Sequence, residues 1–209
     1  MPSRYRIYPT LLNSFALYQE GKMASNGQPY LDFEGMINRI NRVKIPATEA
    51  QTRGINFEDA LLKGIDEDEF PPLILASMRK HLPQKYKTQV YLSCVIKDVE
   101  IYGFVDLVGD HKAIDIKTTG RYETDKFAFN FQNLYLLGLK KYNINQLDYL
   151  ITDMEQVYLE SYYLDSYDFR PLFNQLDVFT DFLETNRKLI TDKKIFTLPA
   201  NAGIQTSLF

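Results

Sequence analysis

GFVDLVGDHKAIDIKTTG, from Gly103 to Gly120, puts Asp106, Asp115 and Lys117 on two consecutive short apolar strands joined by a polar turn. In Ala113-Ile114-Asp115-Ile116-Lys117 apolar and charged residues alternate. Asp115 and Lys117 therefore project from one face of a strand, and Ile114 and Ile116 from the other. The VGDHK turn is short enough for a hairpin, which brings Asp106 alongside Asp115. Alternating charge on a hairpin is usually a solvated face. Here, however, Asp106 is flanked by Phe104, Val105, Leu107 and Val108, and Asp115 by Ala113, Ile114 and Ile116, so both carboxylates sit inside strands that read as core. Charges in such places require a partner or a metal. Clustered carboxylate oxygens suit the hard cations Mg²⁺ and Mn²⁺.

Working outward, the spacing of apolar residues predicts helices over 10–22, 31–43 and 48–63, and Pro71 and Pro72 fix where a further helix can begin. Strands are predicted at about 88–97, 100–108 and 113–117, ended by Thr118, Thr119 and Gly120. The aromatic-rich FAFNFQNLYLLGLKKY is predicted as one long helix, with Phe127, Phe131, Leu134, Tyr135 and Leu139 mostly on one face. Strands at 146–152 and 156–164 and an amphipathic helix over about 167–189 complete the pattern, an α/β order. One domain over 1–197 is expected, with a helical N-terminal part to about 82, a catalytic core over about 48–165 and the C-terminal helix. Residues 198–209 are expected to form a flexible tail.

On these motifs the chain resembles the PD-(D/E)xK nuclease superfamily, in particular its RecB-like and lambda-type exonuclease branch and the related CRISPR-associated exonucleases. That branch reads G-x-h-D-h and h-h-D-h-K-T, matched by Gly103-Phe-Val-Asp106-Leu and Ala113-Ile-Asp115-Ile-Lys117-Thr118. Upstream, TRGINFEDAL (Thr52 to Leu61) is similar to the branch's first core helix, with Gly54 in the glycine position and Glu58 in the metal-ligand position. Downstream, Gln132 stands where the branch carries Q-x-x-x-Y, although the tyrosine, Tyr135, comes one residue early and Leu136 occupies its place. The PD dipeptide is replaced by Val105-Asp106. The resemblance implies a restriction-endonuclease-like core, a mixed central sheet flanked by helices. It also implies one or two Mg²⁺ ions, replaceable by Mn²⁺, held by Glu58, Asp106, Asp115 and the carbonyl of Ile116. Lys117 would position or deprotonate a water, and Gln132 would orient the lysine or the substrate backbone. Phosphodiester hydrolysis leaving a 5′-phosphate and a 3′-hydroxyl is the implied reaction, with a Mg²⁺-dependent DNA exonuclease in recombination, repair or replication as the expected function. A structure-selective or site-specific endonuclease shares the same core, and a noncatalytic nucleic-acid- or clamp-binding module is the alternative from another class.

Composition fits this expectation. A chain of 209 residues, 45% hydrophobic, can bury the core of one α/β domain. It contains no apolar run of membrane-spanning length. The opening MPSRYRIYPT lacks an apolar h-region, so a cytoplasmic enzyme is expected. The single cysteine, Cys94, cannot hold an iron–sulfur cluster. A net charge of −3 argues against coating nucleic acid by bulk electrostatics and leaves room for a local basic channel. Its candidates are Arg53, Arg79, Lys80, Lys85, Lys87, Lys140 and Lys141. Finally, the terminal QTSLF resembles the bacterial sliding-clamp motif Q-L-(S/D)-L-F, with Gln205 to set register and Leu208 and Phe209 to fill an apolar pocket. Such a tether would place the enzyme at replication forks or on replicating phage or plasmid DNA. Nothing in the sequence fixes oligomeric state.

Overall fold

In TEAQ, Thr48 accepts a hydrogen bond from the Gln51 backbone while the Gln51 side chain accepts one from Thr48 N–H, a reciprocal cap that starts helix α3, Glu49–Lys63, and Gly64 in the left-handed region (φ 71°) stops it. This is a computed structural model, and it describes residues 4–23, 27–109 and 111–196. Its other helices are α1 (Pro9–Glu20), α2 (Phe33–Ile40), α4 (Pro72–Arg79), α5 (Tyr135–Leu139) and α6 (Arg170–Thr185). The strands are β1 (Tyr5–Ile7), β2 (Tyr86–Ile96), β3 (Val99–Gly109), β4 (Ala113–Thr118), β5 (Gln146–Thr152) and β6 (Val157–Tyr163).

The described residues group into two units, each with its own contacts. The first draws on residues 1–43, 93–102 and 176–209. In it β1 runs parallel to the first residues of β3, Tyr5 beside Val99 and Ile7 beside Ile101. Phe15 of α1 meets Phe179 and Phe182 of α6 in tilted ring contacts.

The second unit, 44–92 and 103–175, carries the restriction-endonuclease-like core. Here β3 pairs antiparallel with β4, β4 parallel with β5, and β5 antiparallel with β6, so the sheet is mixed. Strand β4 is the pivot. Ile114 and Ile116 pack with Phe57 and Leu61 of α3 and with Ile74 and Met78 of α4. Ala113 joins Leu147, Tyr149 and Ile151 of β5 in a cluster with Tyr135, Leu136 and Leu139. The alternation read from AIDIK therefore has both its faces covered by helices, as a largely buried strand requires. Its cost is that Asp115, which is 0% exposed, is a charge in the interior.

Three expectations change. The helix foreseen over 127–142 is broken into a 3₁₀ turn (Phe131–Leu134), the short α5 and a second 3₁₀ turn (Lys140–Tyr142). The Asn130 side chain caps Gln132 N–H and the Asn133 amide bonds the carbonyls of Phe127 and Ala128, so local polar groups compete with the helical ladder. Asn143, in the left-handed region, ends the segment. The last helix is shorter than 167–189 and closes with a 3₁₀ turn at Arg187–Leu189. Strand β1 is added by tertiary pairing that three residues could not announce. The tail with Gln205, Leu208 and Phe209 lies outside the described residues.

Candidate active site

Two strands, a helix and a 3₁₀ turn bring five of the expected side chains together. Leu107 pairs with Ile114 and Val108 with Ala113 across β3 and β4, which carries Asp106 toward Asp115. The Ile116 N–H turns from the ladder to the Asp106 carboxylate, donating to Oδ2 at 2.8 Å. Lys117 Nζ is ion-paired with Asp115 Oδ2. From the 3₁₀ turn before α5, Gln132 Nε2 donates to Asp115 Oδ1 at 2.6 Å, so the group this amide orients is the carboxylate. From α3, half-buried Glu58 meets the cluster through Gln89: the Gln89 amide donates to Glu58 Oε1 at 2.9 Å and reaches Asp106 Oδ1 at 3.5 Å.

Gln89 is the residue sequence reading passed over. It lies within β2, yet its φ is 50°, a left-handed conformation uncommon for a residue with a Cβ. That kink turns a strand residue's amide between two carboxylates. A glutamine in KTQVYL gives no local cue to it.

Two glycines set the approach of the elements. A Cβ on Gly103 would fall 2.0 Å from Tyr135 Oη, so the motif glycine is the gap into which the Tyr135 hydroxyl fits. A Cβ on Gly54 would come 3.2 Å from Thr118 Oγ1, so this glycine lets α3 lie close to the end of β4 and carry Glu58 in.

The electrostatics follow from burial. Desolvation, joined by the charge of Asp115, pushes the Asp106 carboxyl up to about 7 against the pull of Lys117. Burial likewise raises Asp115, with Lys117 opposing. Burial raises Glu58, the Gln89 hydrogen bond opposes this, and the Asp115 charge adds to it. For Lys117 burial acts downward, but Asp115 and Asp106 outweigh it and the ammonium titrates above its ordinary range. The site is a cluster of carboxylates short of positive charge.

A divalent cation fits that deficit. Asp115 Oδ2 is buried and accepts no well-directed hydrogen bond beyond its ion pair. Asp148, equally buried, is by contrast saturated by Lys112, Gln146 and Ser161. Among the described residues no three His, Cys, Asp or Glu side chains close around a single point as a protein-only metal cage would. Mg²⁺ seldom uses such a cage, since it keeps waters and takes one or two carboxylates with substrate phosphate.

The basic candidates separate. The Arg79 guanidinium is engaged by Glu67 and by the Ala60 and Leu61 carbonyls at the end of α3, which makes it an internal clamp. Arg53 is exposed on α3 and lines a hollow of about 500 Å³ with Glu49, Thr118, Thr119, Gly120 and Asp153. Lys80, Lys85, Lys87 and Lys140 are exposed. Among the described residues no helix is long and apolar enough to cross a membrane.

No protein-family model and no curated protein matches the chain. Among solved structures it is similar to that of SSO0001, with a TM-score of 0.50 at 11% identity over 87% of this chain and 78% of that one. It is also similar to a "Putative exonuclease" from Eubacterium rectale, with a TM-score of 0.46 at 10% identity over 98% and 91% of the two chains. The likeness to SSO0001 is one of fold.

Proposed function

We propose that this chain is a Mg²⁺-dependent deoxyribonuclease, an exonuclease that hydrolyses phosphodiester bonds in recombination, repair or replication. The observation that carries the reading is the convergence of Glu58, Asp106, Asp115, Lys117 and Gln132 on one buried, anionic cluster. Glu58, Asp106, Asp115 and the Ile116 carbonyl would hold the cation. A divalent ion bound there supplies Lewis acidity, lowering the pKa of water and offsetting charge on phosphate oxygens.

The chain's own groups do the rest. In the metal-free site the carboxylates Asp115 and Asp106 outweigh burial and hold the Lys117 ammonium above the ordinary lysine range. Of the two roles open to it, donor and base, the donor role is favoured: Nζ orients the attacking water and meets charge developing on a non-bridging oxygen. Asp115 holds that ammonium in place, and Gln132 fixes the rotamer of Asp115. Arg53, on α3 and sharing a hollow with Thr118 at the end of β4, is suited to a backbone phosphate on the approaching strand.

The test is hydrolysis of end-labelled linear duplex and single-stranded DNA with Mg²⁺ or Mn²⁺, comparing wild type with Asp115→Asn and Lys117→Ala proteins of verified fold. Mononucleotide release lost in both variants supports the exonuclease. Cutting of covalently closed circles would move the assignment to an endonuclease, and inactivity on linear, circular and branched DNA to a binding module. The clamp tether is separately testable: a fluorescent peptide of the last nine residues that shows no saturable binding to a bacterial clamp removes it.

A further inference from the structure

Next to the carboxylates stands an aromatic pair that hydrolysis itself does not use. Tyr91 of β2 and Phe104 of β3 meet edge to face, ring centroids 5.5 Å apart, and remain 38% and 55% exposed. Val90, Leu92 and Val105 turn into the core cluster that contains α5. Alternation along the strands therefore sends Tyr91 and Phe104 to the opposite side. The kinked Gln89 bonds Glu58 and reaches Asp106. Tyr91 follows Gln89 by two residues and Phe104 precedes Asp106 by two. Along the backbone the ring pair thus begins two residues, roughly 7 Å, from the residues that carry the carboxylate cluster. A hairpin face that only had to be soluble would carry polar residues there, as strands with one wet face normally do.

We propose that Tyr91 and Phe104 form a stacking platform for a base of a single-stranded DNA end, next to the phosphate presented to Asp106 and Asp115. The inference rests on the nuclease reading and adds its substrate class. Aromatic faces bind bases of any sequence, which suits an enzyme that must step along a strand. A base inside a duplex has both faces covered by its neighbours, so the platform selects single strands or frayed ends. The exposed lysines Lys85 and Lys87, just before Tyr91 on the same segment, supply charge of the sign a phosphate backbone requires.

The experiment measures binding of the full chain, in EDTA so that no cutting occurs, to fluorescein-labelled single-stranded DNA carrying 2-aminopurine near its end. Phe104→Ala and Tyr91→Ala should each weaken binding about tenfold and abolish the 2-aminopurine quench, with thermal midpoints unchanged. Phe104→Trp should keep both signals. An abasic nucleotide at the quenched position should weaken wild-type binding as much as the Ala variants do and cost those variants nothing more. If wild type hydrolyses DNA while the Ala variants bind it as tightly as wild type, or if the abasic substrate binds normally, the platform is refuted and the nuclease stands. A wild-type dimer that Phe104→Ala dissociates without change in DNA affinity also refutes it, assigning the rings to a second copy. If wild type neither binds nor cuts DNA, the nuclease reading itself has failed.

Discussion

Asp106→Asn isolates the charge conflict in the site. The variant keeps an oxygen to accept the Ile116 N–H and removes only the ionisable proton. In the folded protein the Asp106 carboxyl is pushed up from 3.8 to about 7. A folded-state pKa raised above the unfolded one favours folding most fully below the unfolded pKa, and that contribution is lost as pH rises through the folded value. Metal-free wild type should therefore lose stability between about pH 4 and pH 7, opposite to the acid unfolding expected of paired carboxylates. The displacement, about three pKa units at about 1.4 kcal/mol each, sets an upper bound near 4 kcal/mol above pH 7. Water entry and side-chain relaxation reduce it, so about 2 to 4 kcal/mol is expected. For a chain of this size that corresponds to roughly 4 to 16 °C in melting temperature. The assay is thermal unfolding followed by circular dichroism in EDTA from pH 5 to pH 8.5. Asp106→Asn should melt well above wild type at pH 8.5 and approach it only as the pH falls toward about 4, with an intermediate gap at pH 5. Adding Mg²⁺ at pH 8 should raise the wild-type midpoint and leave the variant nearly unmoved. A difference between the two proteins that stays flat with pH, or a variant less stable at pH 8.5, refutes the reasoning.

Lys117→Met leaves Asp115 and Asp106 without their cation; urea unfolding at pH 8 should register a loss of about 3 kcal/mol or more, and initial rates on labelled DNA should fall at least about a hundredfold. Gly103→Ala drives a methyl into the Tyr135 hydroxyl, so denaturant titration should reveal destabilisation of about 1–3 kcal/mol, part of which Tyr135→Phe should restore in the double variant. Arg79→Ala should lower stability by about 1–2 kcal/mol through the lost Glu67 and carbonyl bonds, while gel-shift affinity for DNA stays within error of wild type.

What the sequence carried clearly was periodicity. The alternation in AIDIK, the caps at Thr48 and Gly64 and the prolines before α4 are local signals, and β4, α3 and α4 follow them. Asp106, Asp115 and Lys117 were legible for the same reason, since a hairpin fixes which side chains face one another. Gln132 was legible only as a motif position. Its partner depends on a 3₁₀ turn held by Asn130 and Asn133, where side-chain hydrogen bonds outweigh helix propensity. Gln89 was hidden because a left-handed residue inside a strand leaves no compositional trace. Arg79 in SMRKH read as a candidate for the basic channel, and nothing local announced that its guanidinium bonds carbonyls at the end of α3.

Asp148 and Asp115 make the deeper point about what a sequence can and cannot mark. Both sit in buried parallel strands, LDYL and AIDIK, and both are 0% exposed. Three donors around Asp148 satisfy its two oxygens, so its charge is settled within the protein. Asp115 has one ammonium and one amide, its neighbours Asp106 and Glu58 receive only neutral N–H donors, and the three carboxyl groups are all displaced upward. A fold that has rigid helices on both faces of β4 can sustain that imbalance, because the strand cannot move to relieve it. The unmet demand for positive charge, rather than the presence of aspartate, distinguishes the proposed cation site from a structural ion pair. It is also why occupancy of the site and stability of the fold should rise and fall together.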